Sequence, residues 1–301
     1  MTPKNQKIAI IAAWVIVLLT SALPKIILQE IFKFTVSPDL QAIISLSVIF
    51  LALLATLIWL PLRGLRLFLL LFAVLIGGQW LVYNRIDQLY YYRAWLNNPS
   101  FNVYMLAEQS LNLIVTLLMI AALFLMRKKR SDFYLVRGDL AAPVEPVRWL
   151  GVKQGERWKK FGIILTLCIS LGTLAFLVIA GRPPLSIVTR VLPFLPAILL
   201  AAALNAFNEE VTYKASFLSV LESPVGPRQA LYMVALYFGI GHFYGVPYGV
   251  VGVILATFLG WILAKSMQET HGLFWAWFIH FWQDVWIFSF LAIGSIIPGG
   301  G

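Results

Sequence analysis

The sequence predicts an all-α membrane protein with about nine transmembrane helices, the last five of which form a C-terminal helical bundle. Three features support this fold class. Of the 301 residues, 60% are hydrophobic and only 12% are charged, and the mean hydropathy is +0.85. The chain also contains several apolar stretches close to the length of about 20 residues that an α-helix needs to cross a bilayer. Soluble domains do not combine so few charges with such stretches.

The apolar stretches divide the chain into three regions. Region 1–126 contains four predicted spans, and the first of these is interpreted as a retained span rather than a cleaved signal peptide. Region 127–160 is polar and basic, and it is predicted to be a cytoplasmic linker. Region 161–297 contains the other five spans. The nine predicted spans are residues 8–28, 43–60, 67–83, 111–126, 161–180, 188–221, 230–244, 250–266 and 273–297.

Basic charge is concentrated between the apolar stretches. The net charge of +10 would suggest a nucleic-acid partner in a soluble protein. Here most of the 23 lysines and arginines fall on one side of the membrane when the N-terminus is placed in the cytoplasm, as the positive-inside rule requires. We therefore predict a multi-pass protein with a cytoplasmic N-terminus, the lipid bilayer as a partner and no nucleic-acid partner. Because no eukaryotic targeting signal is recognised, the predicted location is a prokaryotic plasma membrane.

Two features of the apolar stretches are predicted to be purely structural. Cys168 is the single cysteine, so it cannot form an intramolecular disulfide, and it is interpreted as a small buried packing residue. Trp80 and Tyr83 lie near the end of a predicted span. Aromatic belts at the membrane interface account for residues of this kind at such positions.

Paired carboxylates inside a predicted span are the strongest functional signal in the chain. Glu209 and Glu210 follow a long apolar run, and the chain stays mostly apolar after them. If one helix covers residues 188–221, both glutamates lie well inside the bilayer. A charge there costs about 2.5–3.5 kcal/mol on insertion scales, so such residues usually face a polar cavity and serve a function. The purely structural alternative is that Glu210 and Lys214, four residues apart, neutralise each other.

Three more polar residues lie inside later apolar stretches. His242 is predicted near the middle of its span, and His280 and Asp284 share one face of the last helix because they are four residues apart. All lie at a similar predicted depth from the cytoplasmic side, which indicates a common polar layer. Each also has a structural interpretation. A membrane histidine can simply join two helices by a hydrogen bond, and Asp284 can simply hold the ring of His280.

These residue types are suited to hydrolysis. A carboxylate beside histidines can deprotonate a water molecule, and imidazole N–H groups can stabilise an oxyanion. No cofactor is predicted on this interpretation. The same residues leave a zinc alternative open, with Glu209, His242 and His280 as ligands and one position for water. The helical His-Glu-x-x-His zinc signature is absent from the sequence.

Taken together, three motifs resemble those of a known family. They are Glu209-Glu210-x-x-x-Lys214, Phe238-x-x-x-His242 and His280-x-x-x-Asp284. They are similar, in this order, to the Glu-Glu-x-x-x-Arg, Phe-x-x-x-His and His-x-x-x-Asn/Asp motifs of the CAAX protease and bacteriocin-processing (CPBP/Abi) family, whose eukaryotic member is the Ras-converting CAAX endopeptidase. The resemblance covers about residues 161–297, and the first four spans match nothing recognised.

The resemblance implies an intramembrane glutamic endopeptidase in which region 161–297 is the catalytic domain. Glu209 would activate the attacking water with help from His242, and His280 would bind the oxyanion with the residue at position 284. Glu210, Lys214 and Phe238 would support these groups. The expected partner is a membrane-associated, prenylated or small peptide or a protein substrate.

Two positions depart from the family pattern. Lys214 replaces an arginine, so a bidentate clamp becomes a contact with a point charge. Asp284 cannot donate a hydrogen bond when it is ionised, which favours a role in orienting His280. Either departure is also compatible with loss of protease activity. The alternatives are therefore an inactive bacteriocin-immunity scaffold or a transporter-like protein. The transporter alternative is disfavoured because the first four spans carry no matching charged residues.

Overall fold

The computed structural model describes residues 3–296. Residues 1–2, the start of the predicted region 1–126, and residues 297–301, which include the last residue of the predicted region 161–297, lie outside the described residues. The described residues form thirteen α-helices and, apart from two isolated bridges, no β-structure. The all-α fold predicted from the sequence is therefore confirmed. The α-helices are α1 Pro3–Thr20, α2 Leu23–Ile26, α3 Pro38–Ile58, α4 Arg66–Leu81, α5 Tyr90–Leu96, α6 Phe101–Leu125, α7 Trp158–Gly181, α8 Leu185–Val191, α9 Leu195–Glu209, α10 Ser216–Val225, α11 Pro227–Gly241, α12 Val250–Thr270 and α13 Phe274–Ile296.

The number of helices able to cross a membrane is seven among the described residues. It becomes eight if Pro3–Thr20 and Leu23–Ile31, which are bent by 49° relative to each other, count as one span. The prediction of about nine is therefore approximate. The difference lies in α11, which has 15 residues. At 1.5 Å per residue it is roughly 22 Å long, shorter than the hydrocarbon core of about 30 Å.

The N-terminal and C-terminal helices share one hydrophobic core. Phe68 and Phe72 of α4 make edge contacts with Phe217 of α10, at centroid distances of 5.9 and 5.0 Å. All three rings are buried. The first four predicted spans therefore pack directly against the helices that carry the motifs. They also form one wall of the cavity that adjoins Glu209.

The polar segment between α6 and α7 is folded rather than an open linker. Phe133 and Trp158 are completely buried. The Trp158 indole donates a hydrogen bond to Glu269 of α12 at 2.7 Å, and the backbone N–H of Asp139 donates to the Thr270 carbonyl at 2.8 Å. The segment thus forms a cap, residues 127–157, over the turn between α12 and α13.

One packing prediction is wrong. Cys168 was expected to be buried, but its side chain is exposed on the surface of α7. Only 17% of the apolar window of this helix is buried inside the structure. Because lipid is as apolar as a protein core, a membrane helix can present residues such as cysteine outward without cost.

A close approach of α11 and α12 fixes the position of α11. A Cβ atom at Gly239 would clash with the side chain and backbone of Thr257. Glycine at this position therefore allows the two helix backbones to come closer than any other residue would. This packing fixes the directions in which two side chains project, that of Phe238 near the end of α11 and that of His242 just after it.

Candidate active site

The two glutamates lie where the backbone changes from α-helical to π-helical hydrogen bonding. Helix α9 ends at Glu209, and Glu210–Ala215 forms a π-helical turn before α10 begins. Such π-bulges are rare and frequently mark functional sites. The prediction of a continuous helical span through this region is correct in its extent, because one 37-residue span runs over Thr189–Val225. The π-helical turn inside it was not predicted.

The adjacent carboxylates have different surroundings. The side chain of Glu210 is completely buried, whereas that of Glu209 is 24% exposed. Glu210 therefore depends entirely on protein partners for compensation of its charge. Glu209 is the glutamate that remains accessible to a small molecule.

Glu210 is held by two cationic or hydrogen-bonding partners through the same oxygen. The Lys214 ammonium lies 2.8 Å from Glu210 Oε1, and His280 Nδ1 lies 2.7 Å from that oxygen. The Lys214 ammonium also lies 3.4 Å from the centroid of the Phe238 ring, which adds a cation–π contact. Glu210 Oε2 has no hydrogen-bond partner among the described residues. Glu210 and Lys214 thus form a buried ion pair that fixes one nitrogen of His280.

The other nitrogen of His280 faces two further carboxylates. His280 Nε2 lies 3.6 Å from Glu209 Oε2 and 3.6 Å from Asp284 Oδ2. These separations exceed ordinary hydrogen-bond lengths but remain within ion-pair range. The Asn205 amide donates to Asp284 Oδ2 at 3.0 Å. The structure therefore brings Glu209, Glu210 and Asp284 together around one imidazole.

His242 is close to this group but does not join it by a polar contact. It lies just after α11, and its Nδ1 is 2.8 Å from the Phe238 carbonyl oxygen. A carbonyl only accepts, so Nδ1 donates its N–H in this contact, which leaves Nε2 of the neutral imidazole as an acceptor. The His242 and Phe238 rings are 4.4 Å apart, and the Phe238 and His280 rings are 6.3 Å apart. Within residues 3–296, His242 makes no hydrogen bond or ion pair with a carboxylate.

A cavity of about 40 Å³ adjoins Glu209. This volume is sufficient for two or three water molecules, each of which needs at least about 10–15 Å³ by the same measure. Three of its lining residues, Tyr83, Asn112 and Val115, come from the N-terminal half of the chain. The Tyr83 hydroxyl donates a hydrogen bond to Asn112 Oδ1. The residues that line it with Glu209 are Tyr83, Asn112, Val115, Asn208, Thr212 and Tyr213.

Sequence reasoning missed the N-terminal side of this cavity. Tyr83 was assigned to an interfacial aromatic belt, but it lines the cavity. Asn112 carried only a weak signal, as a polar residue at the start of an apolar stretch. Nothing in the linear sequence relates either residue to Glu209, since the three belong to distant segments.

The three residues of the zinc alternative are not all neighbours in the structure. No group of three or more His, Cys, Asp and Glu side chains in the described part of the chain is arranged to hold a metal ion. Of the three ligands proposed from the sequence, Glu209 and His280 are neighbours. His242 instead directs Nδ1 to the backbone and packs its ring on Phe238.

Comparison with known proteins finds a family similarity over residues 191–286. Residues 191–286 match the family model described as Rce1-like, Type II CAAX prenyl endopeptidase Rce1-like. No curated protein and no solved structure matches the chain. The matched range contains all three motifs, so the resemblance found in the sequence is confirmed, and the match supports an intramembrane protease in an integral multi-pass membrane protein. Over residues 191–286, this chain is similar to the Rce1-like family of type II CAAX prenyl endopeptidases.

Proposed function

We propose that this protein is an intramembrane endopeptidase that hydrolyses a peptide bond with a water molecule activated by Glu209. The substrate is a membrane-associated, prenylated or small peptide. One observation carries the proposal: the partly exposed carboxylate of Glu209 adjoins a polar cavity and lies 3.6 Å from His280 Nε2. A base, an imidazole and room for water thus occur together inside a membrane-spanning bundle.

The proposed reaction is a general-base hydrolysis. Glu209 takes a proton from water in the adjoining cavity while the water oxygen attacks the carbonyl carbon of the scissile bond. The C=O bond opens to a tetrahedral oxyanion. Collapse of this intermediate breaks the C–N bond, and the proton held by Glu209 passes to the leaving nitrogen. The cavity lies among membrane-spanning helices, where a low local dielectric strengthens each of these electrostatic interactions.

Glu210 and Lys214 act as supporting groups in this proposal. Both are completely buried, so neither is placed to receive a substrate atom. Their ion pair holds Nδ1 of His280 through Glu210 Oε1 at 2.7 Å. A lysine can perform this role without the bidentate geometry of an arginine, because only one carboxylate oxygen is engaged.

Asp284 is proposed to orient His280 rather than to bind the oxyanion. Its Oδ2 accepts a hydrogen bond from Asn205 and faces His280 Nε2. An ionised carboxylate has no proton to donate, and placing it beside an oxyanion would be repulsive. His242 offers Nε2 as an acceptor, which is suited to holding a proton of the attacking water or of the substrate amide.

The environment of the enzyme completes the proposal. We place the N-terminus and the cap, residues 127–157, in the cytoplasm, because the basic segments are concentrated on that side. The location is a prokaryotic plasma membrane, with the bilayer and the peptide or protein substrate as partners and without nucleic acid. The reaction requires no cofactor, since a carboxylate supplies the base.

The test is cleavage of a quenched fluorescent peptide, in prenylated and unprenylated forms, by the purified protein in lipid vesicles. Glu209→Gln keeps the size of the side chain and removes the base, so we expect turnover to fall by at least about 100-fold. Glu145→Gln is the matched control, because Glu145 is 83% exposed in the cap. Retained cleavage by Glu209→Gln, or no cleavage of any peptide by the unmodified protein, would reject the proposal.

A further inference from the structure

The proposed hydrolysis is short of one hydrogen-bond donor for the oxyanion. His280 Nδ1 is engaged by Glu210, whereas its Nε2 lies 3.6 Å from Glu209 and Asp284, beyond hydrogen-bond length, and is the one motif nitrogen that can face an oxyanion. His242 uses its N–H on the Phe238 carbonyl. Asp284 only accepts when it is ionised, so it does not supply the second donor. A second donor must therefore come from elsewhere around the cavity beside Glu209.

Asn112 is a cavity-lining donor with an oriented amide. Its Oδ1 accepts the hydrogen bond from the Tyr83 hydroxyl, which fixes the plane of the amide. Of the two N–H groups on Nδ2, one is directed to Gln109 Oε1 at the long distance of 3.4 Å. The other has no acceptor among the described residues. A donor whose direction is set before the reaction is the arrangement that stabilises a developing oxyanion most strongly.

Other polar groups on the cavity are less available. The Thr212 hydroxyl pairs with that of Thr116 at 3.0 Å. The Asn208 amide donates one N–H to the Gln109 carbonyl at 3.2 Å, and its side chain is buried, whereas that of Asn112 is half-buried. The Tyr213 hydroxyl accepts from Gln79 at 2.7 Å and keeps its own proton. Asn208 and Tyr213 are thus the competing donors, and an unchanged kcat in Asn112→Leu would favour one of them.

We propose that Asn112 Nδ2 donates a hydrogen bond to the oxyanion formed in the hydrolysis, with Tyr83 as the residue that positions the Asn112 amide. This inference rests on the proposed endopeptidase function and deepens it. Both residues lie outside the matched range 191–286. The N-terminal helices therefore contribute directly to the chemistry, and they do so at the point where Asp284 cannot donate.

The main variant is Asn112→Leu, which keeps the approximate volume and removes both N–H groups without adding charge. With the vesicle-reconstituted protein and the peptide of the proposed function, we expect kcat to fall about 100- to 1,000-fold, the usual effect of losing one oxyanion donor. KM should change less than about 3-fold, because the interaction forms only in the transition state. Asn102→Leu, on the same helix α6 but away from the cavity, should retain normal kinetics.

The positioning role of Tyr83 is tested by non-additivity. Tyr83→Phe keeps the ring and frees the Asn112 amide to rotate, so kcat should fall roughly 10-fold by itself and by less than 2-fold in the Asn112→Leu background. A purely structural role would give independent effects. Tyr91→Phe is the control, since this tyrosine is on the exposed helix α5 and makes no side-chain hydrogen bond among the described residues. If Asn112→Leu does not fold, the kcat and KM of Tyr83→Phe decide the question.

Several outcomes overturn this inference while leaving the proposed function intact. They are an unchanged kcat in Asn112→Leu, a loss confined to KM, additive effects of the two substitutions, or a large loss of kcat in Tyr213→Phe instead. In contrast, if neither the unmodified protein nor Asn102→Leu cleaves any peptide, the endopeptidase function fails, and the role of Asn112 fails with it.

Discussion

Removing the Lys214 ammonium tests how the bundle tolerates a buried carboxylate. In Lys214→Met the apolar stem is kept, but the charge 2.8 Å from Glu210 is lost in a site where both side chains are completely buried. Breaking one partner of a buried ion pair costs about 3–5 kcal/mol, because the remaining charge is left uncompensated. Since His280 still contacts Glu210 at 2.7 Å, we expect the lower end, about 3 kcal/mol.

The double variant Lys214→Met/Glu210→Gln separates charge from packing. Replacing both members of a buried pair is often close to neutral, so this variant should recover most of the lost stability. Its catalytic activity should stay low, because the neutral amide no longer holds His280 in the same way. Lys7→Met is the control for loss of a positive charge, since Lys7 is exposed at the start of α1.

The assay is reversible unfolding in mixed detergent micelles, followed by tryptophan fluorescence. A difference of 3 kcal/mol corresponds to a change of about 150-fold in the unfolding equilibrium constant, since every 1.4 kcal/mol is a factor of ten. If the free energy of unfolding of Lys214→Met is within about 1 kcal/mol of that of the unmodified protein, Glu210 is not a buried anion paired with Lys214. The account of how His280 is oriented would then be wrong.

Three further predictions concern the site and its scaffold. Asp284→Asn should lower the cleavage rate by more than about 10-fold if Asp284 orients His280, because a neutral amide no longer holds the ring as a carboxylate does; a mild or improved rate in the peptide assay would instead indicate a family-like oxyanion role. Gly239→Leu should destabilise the protein by about 1–3 kcal/mol and lower the cleavage rate, because the side chain collides with Thr257; normal unfolding and cleavage would refute the close helix contact. Treatment with EDTA or phenanthroline should leave peptide cleavage unchanged, and a loss that added zinc restores would overturn the metal-independent mechanism.

The sequence predicts the contacts that a single helix imposes. Glu210 with Lys214 and His280 with Asp284 are each four residues apart, so helical geometry alone places the members of each pair side by side. The membrane-spanning character of most helices follows from their length and apolarity, which a linear sequence records directly. Both kinds of prediction can be made without knowing how the helices pack against one another.

The features that escaped prediction depend on tertiary packing or on small changes of register. The π-helical turn Glu210–Ala215 shifts the helix by one residue, and this shift leaves no recognisable mark in the apolar pattern. The meeting of Tyr83 and Asn112 beside Glu209 requires three helices to come together. Cys168 faces outward because hydrophobicity distinguishes the membrane from water but not the lipid side of a helix from its protein side.

The short helix α11 has a consequence for the integrity of the bundle. It ends before the 21-residue helix α12 beside it, and the chain connects the two through a non-helical loop, residues 242–249. Irregular backbone at membrane depth is tolerated only under a covering of protein or beside water. The bent N-terminal segment contacts this loop, since Tyr244 donates to Gln29 at 3.1 Å. Removing the N-terminal helices would therefore take away this contact together with their part of the shared hydrophobic core, and the isolated C-terminal half should be less stable in a bilayer.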